Sequence, residues 1–340
     1  MTYEKPILGK PNNCTKTIVT IFMFFNLGIN ASAQQPSSTG PEGSTLAEQY
    51  FALANGLSVD AQYDSSNIYL DKAIAIYEAM PNQNDLTIAS RHIACFRLLG
   101  RNLRKLGRYE KAQFYLKKAL EMGLAKLGEN NIEIVNIYYE IGRLHYRISE
   151  FNLAESFLDK ALKAARRMTK TGSNEKNQRI FAIIYNGLGS LYFRQGFNGK
   201  ARKYYRKSLD VYLNLGPKYE SIVAGRYNNL GIVANSRGDY DQALEYYRKS
   251  LDTKLKLAGR NPANATTLGN IGKTYSEKRE YEQAIQIHQE SLDIMLSAEN
   301  RDSLGLAWIQ NGSTTHRSCA IVPFSVTLGC YIGHGVAIFP

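Results

Sequence analysis

The sequence predicts an all-α solenoid in which antiparallel helix pairs stack one after another. Three observations indicate this class. An aromatic residue or Leu, then Leu or Ile three positions later, then Gly form a frame that occurs five times. An Ala follows each of these glycines after 12 residues, and an Ala or Ser follows after 19. Successive glycines are 42, 47, 42 and 41 residues apart, a spacing typical of repeat arrays. These frame glycines are Gly100, Gly142, Gly189, Gly231 and Gly272.

The spacing within the frame explains why each unit should be a helical hairpin. Residues at i, i+3 and i+4 share one face of a helix, so each frame presents one apolar side. Because Gly has no Cβ, a second helix can approach it closely, and the first Ala of that second helix is small for the same reason. Gly107 and Gly238 fall where the first helix should end, a common place for Gly. A single hairpin cannot bury its own apolar face, so stacking supplies the missing surface.

A weaker copy of the frame lies upstream, around Tyr50, Ala54 and Ser66. Six repeats are therefore predicted, and the 47-residue step is assigned to a longer loop at 169–179. The predicted repeats span 45–83, 91–127, 133–168, 180–216, 222–258 and 263–297.

This frame resembles the tetratricopeptide repeat (TPR). The aromatic-x-x-Leu-Gly block, the Ala at the start of the second helix and the small residue further along it carry the resemblance, over about 45–296. The usual period is about 34 residues. This chain repeats every 41–42 instead. That period, with the blocks at 227–231 and 240–247, resembles the kinesin-light-chain subtype. The resemblance implies a right-handed superhelical TPR solenoid that acts as a protein-interaction scaffold.

Residues 1–33 have the pattern of a secretory signal peptide. Lys5, Lys10 and Lys16 precede an apolar run at 18–25, and Ala31-Ser32-Ala33 follows it. Residues 34–44 are predicted to be a flexible leader. The pattern predicts an exported protein, periplasmic or secreted. The alternative is an uncleaved signal that keeps the protein on the membrane.

The carboxyl-terminal region departs from the repeat pattern. Residues 298–317 begin a seventh, incomplete repeat, with Gly312 at 40 residues after Gly272. Residues 318–340 are apolar and contain no charged side chain. Two interpretations stay open: a truncated or frame-shifted array, or a membrane-associated tail.

Catalytic and metal-binding patterns are not found in the sequence. The five His residues form no H-E-x-x-H motif, and no Cys pair has metal-ligand spacing. Gly187-x-Gly189 is followed by Tyr192 where a dinucleotide fingerprint requires Gly. We predict no enzymatic activity, no cofactor and no metal site.

The positive charge is concentrated in part of the array. The chain holds 42 Lys and Arg against 30 Asp and Glu, a net charge of +12. Residues 91–210 alone hold 25 basic and 10 acidic residues. The basicity therefore belongs to repeats two to four.

The family resemblance implies a ligand groove lined by the first helix of each repeat. Its positions lie three residues before each frame glycine, and one, four and five after it. The candidate groove residues are Arg97, Arg101, Arg104, Lys105, Tyr139, Arg143, Tyr146, Arg147, Asn186, Arg194, Asn228 and Asn235. Arg suits carboxylates, and Asn can hold a peptide backbone. We predict a protein or peptide partner that carries an acidic or carboxylate-bearing segment.

Three other interpretations remain beside the peptide groove. The basic residues could be a solvated face without a ligand, or they could bind the phosphates and bases of a nucleic acid. The chain could also be the sensor portion of a bacterial membrane signalling protein, of the histidine kinase or helix-turn-helix regulator type, whose output domain is absent. The sequence does not indicate an oligomeric state.

Overall fold

The computed structural model describes residues 41–81, 85–169 and 174–299. The predicted signal peptide, most of the predicted leader and seventh repeat, and the apolar tail lie outside the described residues.

The described residues fold into twelve α-helices and one 3-10 turn at Pro217–Tyr219. The helices are α1 Pro41–Val59, α2 Tyr63–Ala79, α3 Leu86–Lys105, α4 Tyr109–Leu127, α5 Ile132–Arg147, α6 Phe151–Met168, α7 Glu175–Arg194, α8 Asn198–Leu215, α9 Glu220–Ser236, α10 Tyr240–Ala258, α11 Pro262–Glu277 and α12 Tyr281–Glu299.

Consecutive helices pack as six hairpins, from α1–α2 to α11–α12. The second helix of each hairpin also contacts the first helix of the next one, which links the hairpins into a single array. The first helices of neighbouring hairpins touch each other as well. Successive second helices make no comparable contact among the described residues. The first helices therefore lie on the inner side of a curved array. The predicted all-α solenoid of helix pairs is confirmed.

The frame glycines are the points of closest approach within each hairpin. A Cβ placed on any of the five would lie between 2.5 and 2.9 Å from a side chain of the second helix. Those side chains are Leu116, Leu158, Tyr205, Tyr247 and His288. Such a distance leaves no room for a methyl group, so the frame Gly is required by packing.

The turn after the first helix of each hairpin contains a left-handed residue, seven positions after the frame position and two after the end of the helix. Gly occupies it at Gly107, Gly196 and Gly238, where φ is 75°, 80° and 79°. The other hairpins have Ala61, Ser149 and Arg279 there, with φ of 60°, 65° and 64°. The turn geometry is thus kept even where the side chain disfavours it.

Two segments predicted as irregular are partly helical. Helix α1 begins at Pro41, inside the predicted leader, and Pro is well tolerated in a first helical turn. Helix α7 begins at Glu175, so the predicted loop at 169–179 is wrong in its second half. The Asn174 side chain caps α7 by accepting a hydrogen bond from the backbone N–H of Asn177 at 2.9 Å. The 47-residue step therefore includes one extra helical turn before Gly189.

Aromatic pairs recur at one place in the first five hairpins. The residue four positions before the frame position, which is Ala54 in the first hairpin and Gly in the others, pairs with a ring on the second helix, with centroids 6.0 to 6.3 Å apart. A Lys three residues after that second ring lies over the pair, 4.2 to 5.9 Å from a ring centroid. These lysines are Lys72, Lys118, Lys160, Lys207 and Lys249. Eight of the 23 Tyr residues of the chain lie in these pairs.

Candidate functional site

Four cations and one carboxylate meet on the inner surface between α3 and α5. We call Arg101, Arg104, Lys105, Arg143 and Glu140 the basic cluster. Arg104 Nη2 donates to Glu140 Oε2 at 2.9 Å, and the two side chains are only 4% and 10% exposed. Arg101 and Lys105 are half-buried, so the cluster is open to an incoming group.

The electrostatics of the cluster are dominated by the excess of cations. Burial by itself would raise the pKa of Glu140, but the charges of Arg104, Arg101 and Arg143 hold it below its ordinary value. Burial, Arg104 and Arg143 together lower the pKa of Lys105 to about 8. Lys105 is therefore still largely charged at neutral pH. The single carboxylate neutralises one of four positive charges.

Arg97 lies one to two turns away from the basic cluster on α3 and has its own partner. Its Nε donates to Glu133 Oε2 at 2.8 Å, and both side chains are about one-sixth exposed. This pair joins α3 to α5 with one cation and one anion. Arg97 is therefore balanced locally, whereas the basic cluster holds four cations and one carboxylate.

The predicted aromatic residues lie next to the guanidinium groups. Arg143 Cζ is 5.9 Å and Arg194 Cζ is 5.5 Å from the ring centroid of the buried Tyr146. Tyr139 is half-buried and packs against Gly187 of α7, where an added Cβ would lie 3.1 Å from its ring. These contacts bring residues of α5 and α7 together. Among these cations Arg194 is the most exposed, and Arg147 is half-buried on the last turn of α5.

The predicted asparagines bond mainly to neighbouring hairpins. Asn229 Nδ2 donates to Asn186 Oδ1 at 3.0 Å, and Asn270 Nδ2 donates to Asn228 Oδ1 at 3.1 Å. Asn235 Nδ2 donates to Glu277 Oε2 at 2.7 Å. Each bond connects adjacent first helices, so one polar group of each predicted asparagine is already used within the array.

Sequence reasoning missed the residues two positions before the frame glycine. Glu140, Asn229 and Asn270 all occupy this position, and all three reach back to the preceding hairpin. A polar residue there, next to an expected groove position, was the signal that could have identified them. Arg226 on α9 was also missed. It is packed 5.7 Å from the ring of Tyr212, and its Nε has no partner among the described residues.

The remaining reactive side chains are held in packing roles. Burial raises the pKa of the Cys95 thiol to about 12, which makes it a poor nucleophile. His145 Nδ1 is 2.6 Å from Glu150 Oε2 and its ring stacks on Phe157. Within residues 41–81, 85–169 and 174–299, no three His, Cys, Asp or Glu residues are grouped to hold a metal ion. No helix in the same ranges combines the length and apolarity needed to cross a membrane.

Two family models, both described as "Tetratricopeptide repeat", match the sequence. One matches residues 92–167 and 222–297, and the other matches residues 181–215. Together they cover more than half of the chain. No curated protein is significantly similar to it in sequence.

Several solved structures are similar to this chain in fold. The structure of BtubC (BKLC) from P. vanneervenii has a TM-score of 0.54 and 21% identity, over 74% of this chain and 91% of that one. The structure of putative kinesin light chain nearly identical TPR-like repeats from Podosopora anserina has a TM-score of 0.51 and 12% identity, over 62% and 97%. The apo form of RapI has a TM-score of 0.56 and 14% identity, over 83% and 92%. At these identities the similarity establishes the fold alone.

Proposed function

Because this chain belongs to the tetratricopeptide repeat family, we propose that it is a non-catalytic scaffold that binds an acidic or carboxylate-bearing peptide segment. The segment binds on the inner surface of the second to fourth hairpins. The observation that carries this proposal is the basic cluster, where three positive charges remain after Glu140 is counted.

The chemistry of the cluster favours carboxylates. Arg side chains present a planar fork of N–H donors that matches a carboxylate, and partial burial strengthens such bonds. Arg101 and Lys105 are half-buried, so their side chains can contact a ligand while they stay packed against neighbouring residues. Arg194 and Arg147 extend the positive surface toward the fourth hairpin.

The amide groups further along the inner surface support an extended ligand. Asn186 and Asn228 each use the carbonyl oxygen to bond the next hairpin, as described above. Their Nδ2 groups each have two N–H donors that these bonds do not use. A peptide backbone carbonyl is a suitable acceptor for them.

The proposal includes export from the cytoplasm, to the periplasm or the medium. It is supported by the basic, apolar and Ala-x-Ala pattern within residues 1–33. Mass spectrometry of the protein purified from its native host tests this point, since cleavage after Ala33 makes Gln34 the first residue. A mature chain that retains residues 1–33 would contradict cleavage.

Binding is tested by fluorescence anisotropy with a labelled hexaglutamate peptide. The variant Arg101→Gln/Lys105→Gln should weaken binding about tenfold or more, because it removes two half-buried cations from the site. The matched control is Arg202→Gln/Lys203→Gln, which removes two exposed cations from the second helix α8. We expect the control to bind as the wild type does.

Two outcomes would contradict the peptide groove. Equal losses in both variants would mean that only the overall charge matters. Tighter binding of a single-stranded RNA oligonucleotide than of the peptide, with a steep salt dependence, would favour the nucleic-acid interpretation.

A further inference from the structure

Glu140 lies among the cations that give the inner surface its positive charge. Its carboxylate contacts Arg104 Nη2 at 2.9 Å, and the charges of Arg101 and Arg143 also act on it. Its pKa is held below the ordinary value, so it is ionised at neutral pH. A ligand carboxylate has the same chemistry and would seek the same donors.

The cluster is not built like an ion pair that serves stability alone. Arg97 and Glu133 provide the comparison, since they join the same two helices with the same separation of 36 residues. That pair has one cation and one anion. Around Glu140 there are four cations, and Arg104 Nε has no partner among the described residues.

We propose that Glu140 sets the affinity of the inner surface for acidic segments by competing with them for the positive charge of Arg101 and Lys105. This inference rests on the proposed function. Glu140 is a specificity-determining residue because it reduces the charge that a ligand meets from four positive charges to three. A ligand with a single carboxylate then binds weakly, and a segment with several carboxylates is preferred, since it can engage the half-buried Arg101 and Lys105 together.

The competition has a direct electrostatic consequence. Replacing Glu140 by Gln keeps an oxygen that can accept from Arg104 but removes the negative charge. An incoming carboxylate then gains the attraction that Glu140 had cancelled. Since the site is partly buried, solvent screens this gain less than it would on an open surface.

The experiment measures anisotropy of labelled hexaglutamate on the full chain, for the wild type, Glu140→Gln and Glu133→Gln. We expect E140Q to bind about tenfold tighter and to lose affinity more steeply as salt is added. E133Q is the matched control, because it removes a carboxylate from a balanced pair on the same helix. Its affinity should stay within about twofold of the wild type.

A melting curve of each variant establishes that it is folded in the assay. Should E140Q unfold, Arg104→Gln/Glu140→Gln takes its place, since it removes both charges of the buried pair. We expect this variant to bind hexaglutamate within about twofold of the wild type, because the net charge of the cluster is unchanged. A loss like that of removing one cation would contradict the inference.

The results separate the two levels of the proposal. If the wild type binds hexaglutamate and E140Q binds equally or more weakly, competition by Glu140 is wrong, and its role is to position Arg104. If E140Q and E133Q gain equally, the effect is one of general charge and the inference is also overturned. If no form binds, the proposed function is wrong and the role of Glu140 falls with it.

Discussion

Arg104 on α3 and Glu140 on α5 form a buried ion pair that joins the first helices of the second and third hairpins. Arg104 Nη2 and Glu140 Oε2 are 2.9 Å apart, and the side chains are 4% and 10% exposed. The pair lies on the same inner surface as Arg101, Lys105 and Arg143. It therefore links the stability of the array to the charge of the candidate site.

The ion pair predicts a non-additive effect on stability. Arg104→Leu leaves Glu140 buried without its direct partner and should lower the free energy of unfolding by about 3 kcal/mol. Arg104→Leu/Glu140→Leu removes both buried charges and should cost less than the single variant. Urea denaturation of both single variants and the double variant gives the coupling energy. Additive costs would show that the two charges do not interact.

The frame glycine of α9 predicts a large loss of stability on adding one methyl group. In Gly231→Ala the Cβ would lie 2.5 Å from Cε1 of Tyr247, which is 2% exposed and cannot move aside. We expect a loss of about 2 kcal/mol in thermal or urea unfolding.

Gly225 in the same helix is the control for Gly231. A Cβ there meets no atom within 4 Å. Gly225→Ala should therefore stabilise the protein by about 0.5 to 1 kcal/mol, because Ala is the better helix former. If both variants were destabilised equally, the close approach of α10 would not explain the Gly at 231.

The left-handed turn after α5 predicts a stabilising substitution. Ser149 has φ of 65°, a conformation in which its Cβ lies too close to the following carbonyl oxygen, and the residue is exposed, so Gly can replace it without losing a packing contact. Ser149→Gly should raise the free energy of unfolding by about 1 kcal/mol. The reciprocal variant Gly107→Ala, at the equivalent turn after α3 with φ of 75°, should lower it by a similar amount. Thermal melts compare the two, and a change of the same sign in both would contradict the argument.

His92 predicts a loss of stability in mild acid. Its ring lies between Tyr77 and Phe96, and burial lowers its pKa to about 4. In the unfolded chain the same group takes up a proton near its ordinary pKa of about 6.5. Between these values the unfolded state binds more protons, so the free energy of unfolding falls as the pH decreases.

The expected loss attributable to His92 is about 2 kcal/mol between about pH 7 and about pH 5. Urea denaturation at the two pH values measures it. His92→Phe keeps an aromatic ring between Tyr77 and Phe96 but cannot be protonated, so its loss should be smaller by that amount. An unchanged pH dependence in this variant would assign the loss to other groups.

Lys105 predicts that acidic peptides bind less tightly in mild base. Burial, Arg104 and Arg143 lower its pKa to about 8, with Arg101 acting in the same direction and Glu140 opposing them. Below that value Lys105 adds a positive charge to the site, and above it the charge is lost. A bound carboxylate favours the charged form, so the affinity for hexaglutamate should fall as the pH rises through about 8. Lys105→Gln should remove this decrease in anisotropy titrations, whereas a decrease of the same size would exclude Lys105 as its source.

The repeat frame made most of the fold predictable. The glycine at the frame position and the bulky residue that it meets on the second helix belong to the same hairpin, so their contact depends on local helix geometry. The Ala near the start of each second helix is buried for the same reason, as at Ala112 and Ala154. The start of α7 was harder to predict, because an Asn cap and one further turn replaced the expected loop.

The array of helix pairs and the region where its positive charge lies are predictable from the sequence, because both follow from spacing and composition within each repeat. How these charges are paired depends on the packing of successive hairpins against one another. Arg97 and Arg104 were equivalent candidates in the sequence, yet one belongs to a balanced pair and the other to a cluster with excess cations. Asn186 and Asn228 were expected to be free for a ligand, yet each bonds the next hairpin. Such partners are 36 to 43 residues away, and the rotation between successive hairpins determines which side chains meet.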